Sequence, residues 1–148
     1  MPSTYLSLHY HVVFSTRRRE PAIAGSWRTR LFEYLGGPVN GLAGQPQVVG
    51  GTADHVHLLV GLKATHRLAD FMRELKKASS VWVYQEIGSK GFAWQEGYGA
   101  FTVSPNAWDH VRAYIAGQEE HHRVRTFREE LVELLERAGV EYEPKYLD

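Results

Sequence analysis

The chain has 148 residues, 43% of them hydrophobic, with 17 Lys and Arg balanced by 17 Asp and Glu and no cysteine. That length and composition predict one domain, residues 1–148, with a sizeable core. They exclude a disulfide framework, a thiolate metal centre and the overall basic surface that coats duplex nucleic acid. No apolar run nears the ~20 residues of a membrane span. The first residues hold no signal-peptide core, so a cytoplasmic protein is expected, with no membrane partner.

Residues 5–14 alternate, with Tyr10, Val12 and Phe14 on one face and His9, His11 and Val13 on the other, which predicts a strand. Pro21 and Gly25 mark a loop. From Ser26, a candidate cap, Trp27, Leu31 and Leu35 repeat every four residues, as in a helix that Gly36-Gly37-Pro38 interrupts or ends. Gln47–Gly50 and Ala53–Leu62 read as strands joined in a hairpin at Gly50-Gly51. Leu68, Phe71, Met72, Leu75, Ala78 and Trp82 follow a helical period to about Tyr84. Phe92-Ala93-Trp94 and Gly99–Val103 read as extended. Ser104-Pro105 starts a helix with Trp108, Val111 and Ile115 as its apolar stripe. Thr126 and Glu129 form a capping box for a last helix, buried through Phe127, Leu131, Leu134 and Leu135 and ended by Gly139. This order, β-α-β-β-α-(β)-α-α, predicts an α+β domain with helices on an antiparallel sheet.

Within that order, His55-Val56-His57 carries the chemistry. On a strand the two imidazoles share one face, while Val56, Leu58 and Val60 enter the core from the other. A rigid histidine pair supplies two positions around a divalent cation. Tyr114 and Gln118, four apart, share a helix face, so the Gln118 amide oxygen is a candidate third ligand and Tyr114 a candidate oxygen nucleophile. This combination points to metal-assisted phosphoryl transfer. Asp54 either orients a ligand histidine or forms a turn. His121 and His122 either flank the same site or anchor the last helix, and His110 precedes Tyr114 by one turn. A second His-x-His, His9-Tyr10-His11, reads as coincidence. The chain has no Gly-rich phosphate loop, so no nucleotide cofactor is expected.

Further motifs extend the pattern: Leu75-Lys76 with Ser79-Ser80, Trp94-Gln95-Glu96-Gly97-Tyr98-Gly99-Ala100-Phe101, Tyr114-Ile115-Ala116-Gly117-Gln118, and Tyr142 to Leu147. Together with Asp54-His55-Val56-His57 they resemble the single-tyrosine HUH transposases of bacterial and archaeal insertion sequences, the IS200-like type. The resemblance implies a ferredoxin-like, RRM-like sheet and C-terminal helices carrying the tyrosine. It implies binding of subterminal hairpins in single-stranded DNA and cutting with Mg or Mn through a 5′-phosphotyrosine, followed by rejoining. By resemblance His55, His57 and Gln118 are metal ligands and Tyr114 the nucleophile. A homodimer is implied in which the tyrosine helix completes the partner's site. Gly117 stands where the family usually has Asn, which loosens the helix between Tyr114 and Gln118. Arg17, Arg18, Arg73, Lys76 and Lys77 are candidate phosphate contacts, Ser79 and Ser80 hydrogen-bond partners, and Trp94, Tyr98 and Phe101 stacking platforms. The alternative is a non-catalytic, domesticated module that binds hairpins or single strands.

Overall fold

The computed structural model describes residues 3–147. Its elements are β1 (His9–Ser15), α1 (Arg28–Gly41), β2 (Gln45–Gly51), β3 (His55–Gly61), α2 (Leu68–Trp82), β4 (Gly99–Thr102), α3 (Trp108–Ala116), α4 (Gln118–His121) and α5 (Phe127–Ala138). The strands form one antiparallel sheet in the order β2-β3-β1-β4, so β1 and β3 are central. This is the ferredoxin-like arrangement.

Alternation along the central strands builds two unlike faces. Val12, Phe14, Val56, Leu58 and Val60 face α1 and α2 and pack with Leu31, Leu35, Val39, Phe71, Met72 and Leu75 in the main core. The other face carries His11, His55, His57 and Leu59, all buried. There Leu59 packs against Val103 and Ile115 in a second, smaller cluster with Val111 and Trp108.

The differences from the sequence reading have local causes. The first strand begins at His9, and Tyr5 and Leu6 are exposed. Helix α1 is capped at Trp27 without a side-chain bond, so Ser26 is not its cap. It also runs through Pro38, because Val39 continues the buried Leu31–Leu35 row. Packing of that stripe outweighs the ~3 kcal/mol that an interior proline costs. Strand β2 passes through Gly50 and Gly51, and the turn lies at 52–54. Pro46 is tolerated because β2 is an edge strand, irregular between Pro46 and Val48. Helix α2 ends in a π turn, Val83–Ile87. The helix predicted from Ser104 opens with a 3₁₀ turn, and α3 proper starts at Trp108. The Thr126–Glu129 capping box is present, and Gly139 closes α5 in the left-handed region at φ 70°. Among the described residues no helix is long and apolar enough to cross a membrane.

Candidate active site

The site grows from β3. His55 and His57 are fully buried on the face opposite the main core. Beside His57 on β2 stands Gly50, its register partner. A Cβ at Gly50 would lie 2.2 Å from the Ile115 carbonyl oxygen. Only glycine lets α3 settle this deeply, and the residue before Ile115 is Tyr114. The glycine read from sequence as a hairpin residue is therefore the seat of the tyrosine helix.

Three imidazoles converge, each held from behind by its Nδ1. His55 Nδ1 is 2.8 Å from Asp54 Oδ1 and 3.1 Å from Thr52 Oγ1. His57 Nδ1 is 2.7 Å from His11 Nε2. His122 Nδ1–H donates to the Arg125 carbonyl at 2.7 Å. The three Nε2 atoms then point at one oxygen, Glu130 Oε1, at 3.5 Å from His55, 2.8 Å from His57 and 3.1 Å from His122. Gln118 Oε1 lies 3.0 Å from His55 Nε2 and 3.1 Å from His122 Nε2. Gly117 separates α3 from α4, yet Gln118 keeps its helical relation to Tyr114, its Nε2 lying 3.4 Å from the Tyr114 carbonyl.

Glu130 ties this set to the tyrosine. Its Oε2 accepts a hydrogen bond from the Tyr114 hydroxyl and another at 3.0 Å from Gln118 Nε2, with His121 Nε2 at 3.5 Å. The Tyr114 ring stands edge-on to His57, centroids 5.7 Å apart. Within the chain Glu130 joins the Tyr114 hydroxyl to the imidazoles of His57 and His122. A cavity of about 210 Å³ opens onto Tyr114 and Glu130, lined also by His11, His110, His121, Arg125 and Arg137.

The electrostatics follow from burial and pairing. Burial opposes ionisation of Glu130, but hydrogen bonds from His122 and His57 hold its carboxyl far below the usual range. Burial pushes His57 down to about 4 against the pull of Glu130. The carboxylate overcomes burial at His122 and raises it. Burial and the adjacent Glu130 charge push the Tyr114 phenol upward, so it rests protonated.

The donor set fits a cation. With Nδ1–H directed at Asp54, a neutral His55 presents a lone pair at Nε2, facing another acceptor, Gln118 Oε1. His55, His57, His122 and Glu130 each offer a ligand atom within 4.8 Å of the others. Three imidazoles, a carboxylate and an amide oxygen suit Mn, Fe, Co or Zn better than Mg.

The structure brings together His55, His57, Tyr114, Gln118, Asp54, His121 and His122. Sequence reading missed Glu130 and dismissed His11. Glu130 sits between Phe127 and Leu134 on an amphipathic helix and reads as an ordinary surface acid. Its sole signal is a carboxylate on the apolar stripe, one turn after Phe127 and two before Arg137.

The candidate DNA residues divide. Arg73, Lys76, Lys77, Ser80 and Tyr98 line an open groove of about 450 Å³ between α2 and residues 93–98. Arg17 and Arg18 are exposed at its rim, where the Arg18 amide donates to Gln95 Oε1 and the Arg17 amide to the Ala93 carbonyl. Lys76 is engaged by the Gln95 and Gly97 carbonyls, at 2.8 and 2.5 Å. Ser79 is buried, bonded to Leu75 and to Trp94 Nε1. Trp94 packs edge-on to Phe14 and Phe92 as part of the core, and Phe101 lies beside His11. Tyr98 alone of the three aromatics is exposed.

Comparison with known proteins places this fold. Residues 4–118 match the family model described as "Transposase IS200 like". The chain belongs to that family. It is 29% identical over 121 residues to the ISDra2 transposase TnpA of Deinococcus radiodurans, covering 76% of this chain and 85% of the relative. It is 27% identical to the transposase for insertion sequence element IS200 of Salmonella typhimurium, covering 78% and 79%. A crystal structure of a Deinococcus radiodurans protein assigned as a transposase shares the fold, with TM-score 0.64, 23% identity and coverage of 78% and 93%. A REP-associated tyrosine transposase bound to a REP hairpin also shares it, with TM-score 0.55, 14% identity and coverage of 78% and 68%. The match to the family model ends at Gln118, so His122 and Glu130 lie beyond it.

Proposed function

We propose that this protein is a metal-dependent strand transferase that binds hairpins in single-stranded DNA, cuts beside them through Tyr114 and rejoins the ends. The observation that carries the reading is the Glu130 carboxylate, shared between the Tyr114 hydroxyl and the imidazoles of His57 and His122. It couples a nucleophile to a cation site within one chain. A neighbour in fold that holds a REP hairpin supports DNA hairpins as the substrate class.

His55, His57 and Gln118 hold the cation, with His122 and Glu130 completing the set, and the donor types favour Mn over Mg. When bound, the divalent ion polarises a nonbridging phosphate oxygen and offsets the Glu130 charge that opposes phenolate formation. The scissile phosphate enters by the 210 Å³ cavity, where Arg125 and Arg137, both paired with Glu133, turn from that carboxylate to the phosphate. Tyr114 Oη attacks phosphorus while its proton passes to Glu130 Oε2. The P–O3′ bond breaks, and the 3′ oxygen leaves as a hydroxyl with a proton returned from Glu130. The phosphotyrosine conserves the energy of the cut bond, so rejoining needs no nucleotide cofactor. Arg17, Arg18, Arg73 and Lys77 contact phosphates along the α2 groove, and Tyr98 stacks on an unpaired base.

The test is incubation with hairpin-bearing single strands and Mn, read on a denaturing gel. Wild type yields a covalent protein–DNA adduct. Tyr114→Phe yields none and binds the hairpin nearly as well. Adducts from the Phe variant overturn the nucleophile. Hairpin binding by wild type without divalent-dependent nicking on any flanking oligonucleotide favours the domesticated binding module. Mixing Tyr114→Phe with His57→Ala chains restores no adduct, because each site is completed by its own tyrosine; restored adducts would instead mean a homodimer with exchanged helices.

A further inference from the structure

The three imidazoles around Glu130 are held from behind by partners of different kinds. Asp54 and the Arg125 carbonyl, behind His55 and His122, can only accept a hydrogen bond, and the Thr52 hydroxyl beside His55 commits its one hydrogen to Asp54 Oδ1 at 3.1 Å and so accepts as well. His57 is backed by another imidazole. His11 stands on β1 two pairs along from His57, on the same face of the sheet, since His11 faces Leu59 and Val13 faces His57. Its ring is buried and nearly stacked on His57, with centroids 4.9 Å apart and 27° between planes. A 2.7 Å contact between two imidazole nitrogens needs a proton on one and a lone pair on the other, and a neutral ring carries one of each.

We infer that His11 is the positioning residue of this centre, the one outer partner able to reverse its hydrogen bond so that His57 serves both a metal-free and a metal-bound state. The inference rests on the metal reading proposed above. Without a cation, His57 Nε2 lies 2.8 Å from the ionised Glu130 Oε1 and must donate to it. A neutral His57 then has a lone pair at Nδ1, and His11 Nε2–H donates across the 2.7 Å contact. With a cation on Nε2, the His57 proton belongs on Nδ1, and His11 Nε2 must accept. Each ring keeps one proton and moves it from the ε to the δ nitrogen, so nothing is released. The cavity that reaches both His11 and Glu130 gives solvent a route for the exchange. A carboxylate behind His57 would fix the δ-protonated form, leaving lone pairs of His57 and Glu130 opposed in the empty site. An apolar residue would fix neither form.

The experiment uses the full chain with Co²⁺ and Zn²⁺ as probes. In ¹⁵N long-range NMR spectra of wild type, His57 carries its proton on Nε2 in EDTA and on Nδ1 with Zn²⁺. His11→Leu weakens Co²⁺ binding about 10- to 100-fold, the range for a lost outer partner. His11→Gln restores most of it, because its amide presents either a donor or an acceptor where His11 Nε2 stood. Melting in EDTA checks that the variants fold, and the wild-type spectra decide the matter should His11→Leu fail to. An unmoved His57 tautomer overturns the inference. So does wild-type affinity in a folded Leu variant, or a folded Gln variant no better than Leu. Failure of wild type to bind either ion at all overturns the metal reading and this inference with it, whereas binding with an unmoved tautomer overturns this inference alone.

Discussion

The two faces of the sheet are built from the same strands to opposite ends. On β3, Val56, Leu58 and Val60 face α1 and α2 in a dry apolar core, while His55 and His57 face α3 and α5 in a polar centre. Both faces are fully closed to solvent at β3, so burial alone does not tell them apart. The difference lies in what covers each: apolar rows of helix against one, and Tyr114, Gln118, His122 and Glu130 against the other. A buried polar group is costly unless hydrogen-bonded. On the polar face the imidazole nitrogens of His57 and His122 and His55 Nδ1 are hydrogen-bonded, while His55 Nε2 meets Gln118 Oε1 as a second acceptor, the contact a cation would satisfy. One face holds the fold together; the other holds a site in order.

Adjacent residues of β3 separate the two faces most sharply. His57→Ala should reduce adduct formation by more than the 10- to 100-fold that outer partners give, with hairpin binding little changed. Equal losses of cleavage and binding would make His57 structural. Leu58→Ala, one residue on, should cost about 2–5 kcal/mol of stability by emptying space in the core. Its Co²⁺ affinity per folded molecule should stay at the wild-type value. A Leu58→Ala chain that melts normally but binds metal poorly would mean that the two faces are not independent.

Glu130→Gln probes the polar face with a smaller step, since the shape is kept and only the charge is lost. We expect roughly 10-fold or weaker Co²⁺ binding, since a carboxylate ligand becomes an amide, and a phenol that ionises more readily once the adjacent charge is gone. Spectrophotometric titration of Tyr114 gives a further readout. An unchanged phenol would detach Glu130 from the nucleophile.

How much of this was legible depended on spacing. The His55–His57 pair and the alternation of β1 declared both faces, because a period of two needs no tertiary information. Tyr114 and Gln118 were legible for the same reason with a helical period. Glu130 was not, since its burial comes from α5 folding back over β3, a long-range event whose one local trace is a carboxylate on an apolar stripe. His11 was passed over because its partner lies 46 residues away. Pro38 and Gly50 mislead in opposite ways. Pro38 has the chemistry of a helix stop, yet the packing of Val39 carries the helix through it. Gly50 has the chemistry of a turn, yet it lies within a strand and seats α3.

Acid should dissolve the polar face before the apolar one. His57 and His11 sit at about 4 and about 3 in the folded chain against an ordinary 6.5. The unfolded chain therefore binds more protons in that window, and stability falls as pH drops from 6.5 toward 4. Glu130, held low, adds a loss that begins below its ordinary 4.5. His122, raised, acts the other way, its contribution fading as pH climbs through its folded value. In EDTA, urea midpoints should decline from pH 6.5 to 4, and His57→Asn should flatten the slope while Leu58→Ala leaves it unchanged. A slope that Leu58→Ala alters and His57→Asn does not would assign the acid sensitivity to the wrong face.

The smallest effects belong to the groove outside both faces, where neighbouring lysines should behave differently. Lys77 is exposed on the rim, whereas Lys76 spans to the Gln95 and Gly97 carbonyls and is lowered by its burial there. Lys77→Ala and Arg73→Ala should each weaken hairpin binding a few-fold and reduce the slope of log affinity against log salt by about 0.7–0.9, the value of one phosphate contact. Lys76→Ala should leave that slope alone, because its half-buried ammonium is taken up by the Gln95 and Gly97 carbonyls and pins residues 95–97. Its loss should instead appear as a lower melting temperature and a looser wall beside Tyr98. Anisotropy titrations at several KCl concentrations distinguish the two roles. A salt slope that changes with Lys76 and not with Lys77 would mean that DNA lies across the 95–98 segment itself, displacing the lysine from its carbonyls on binding.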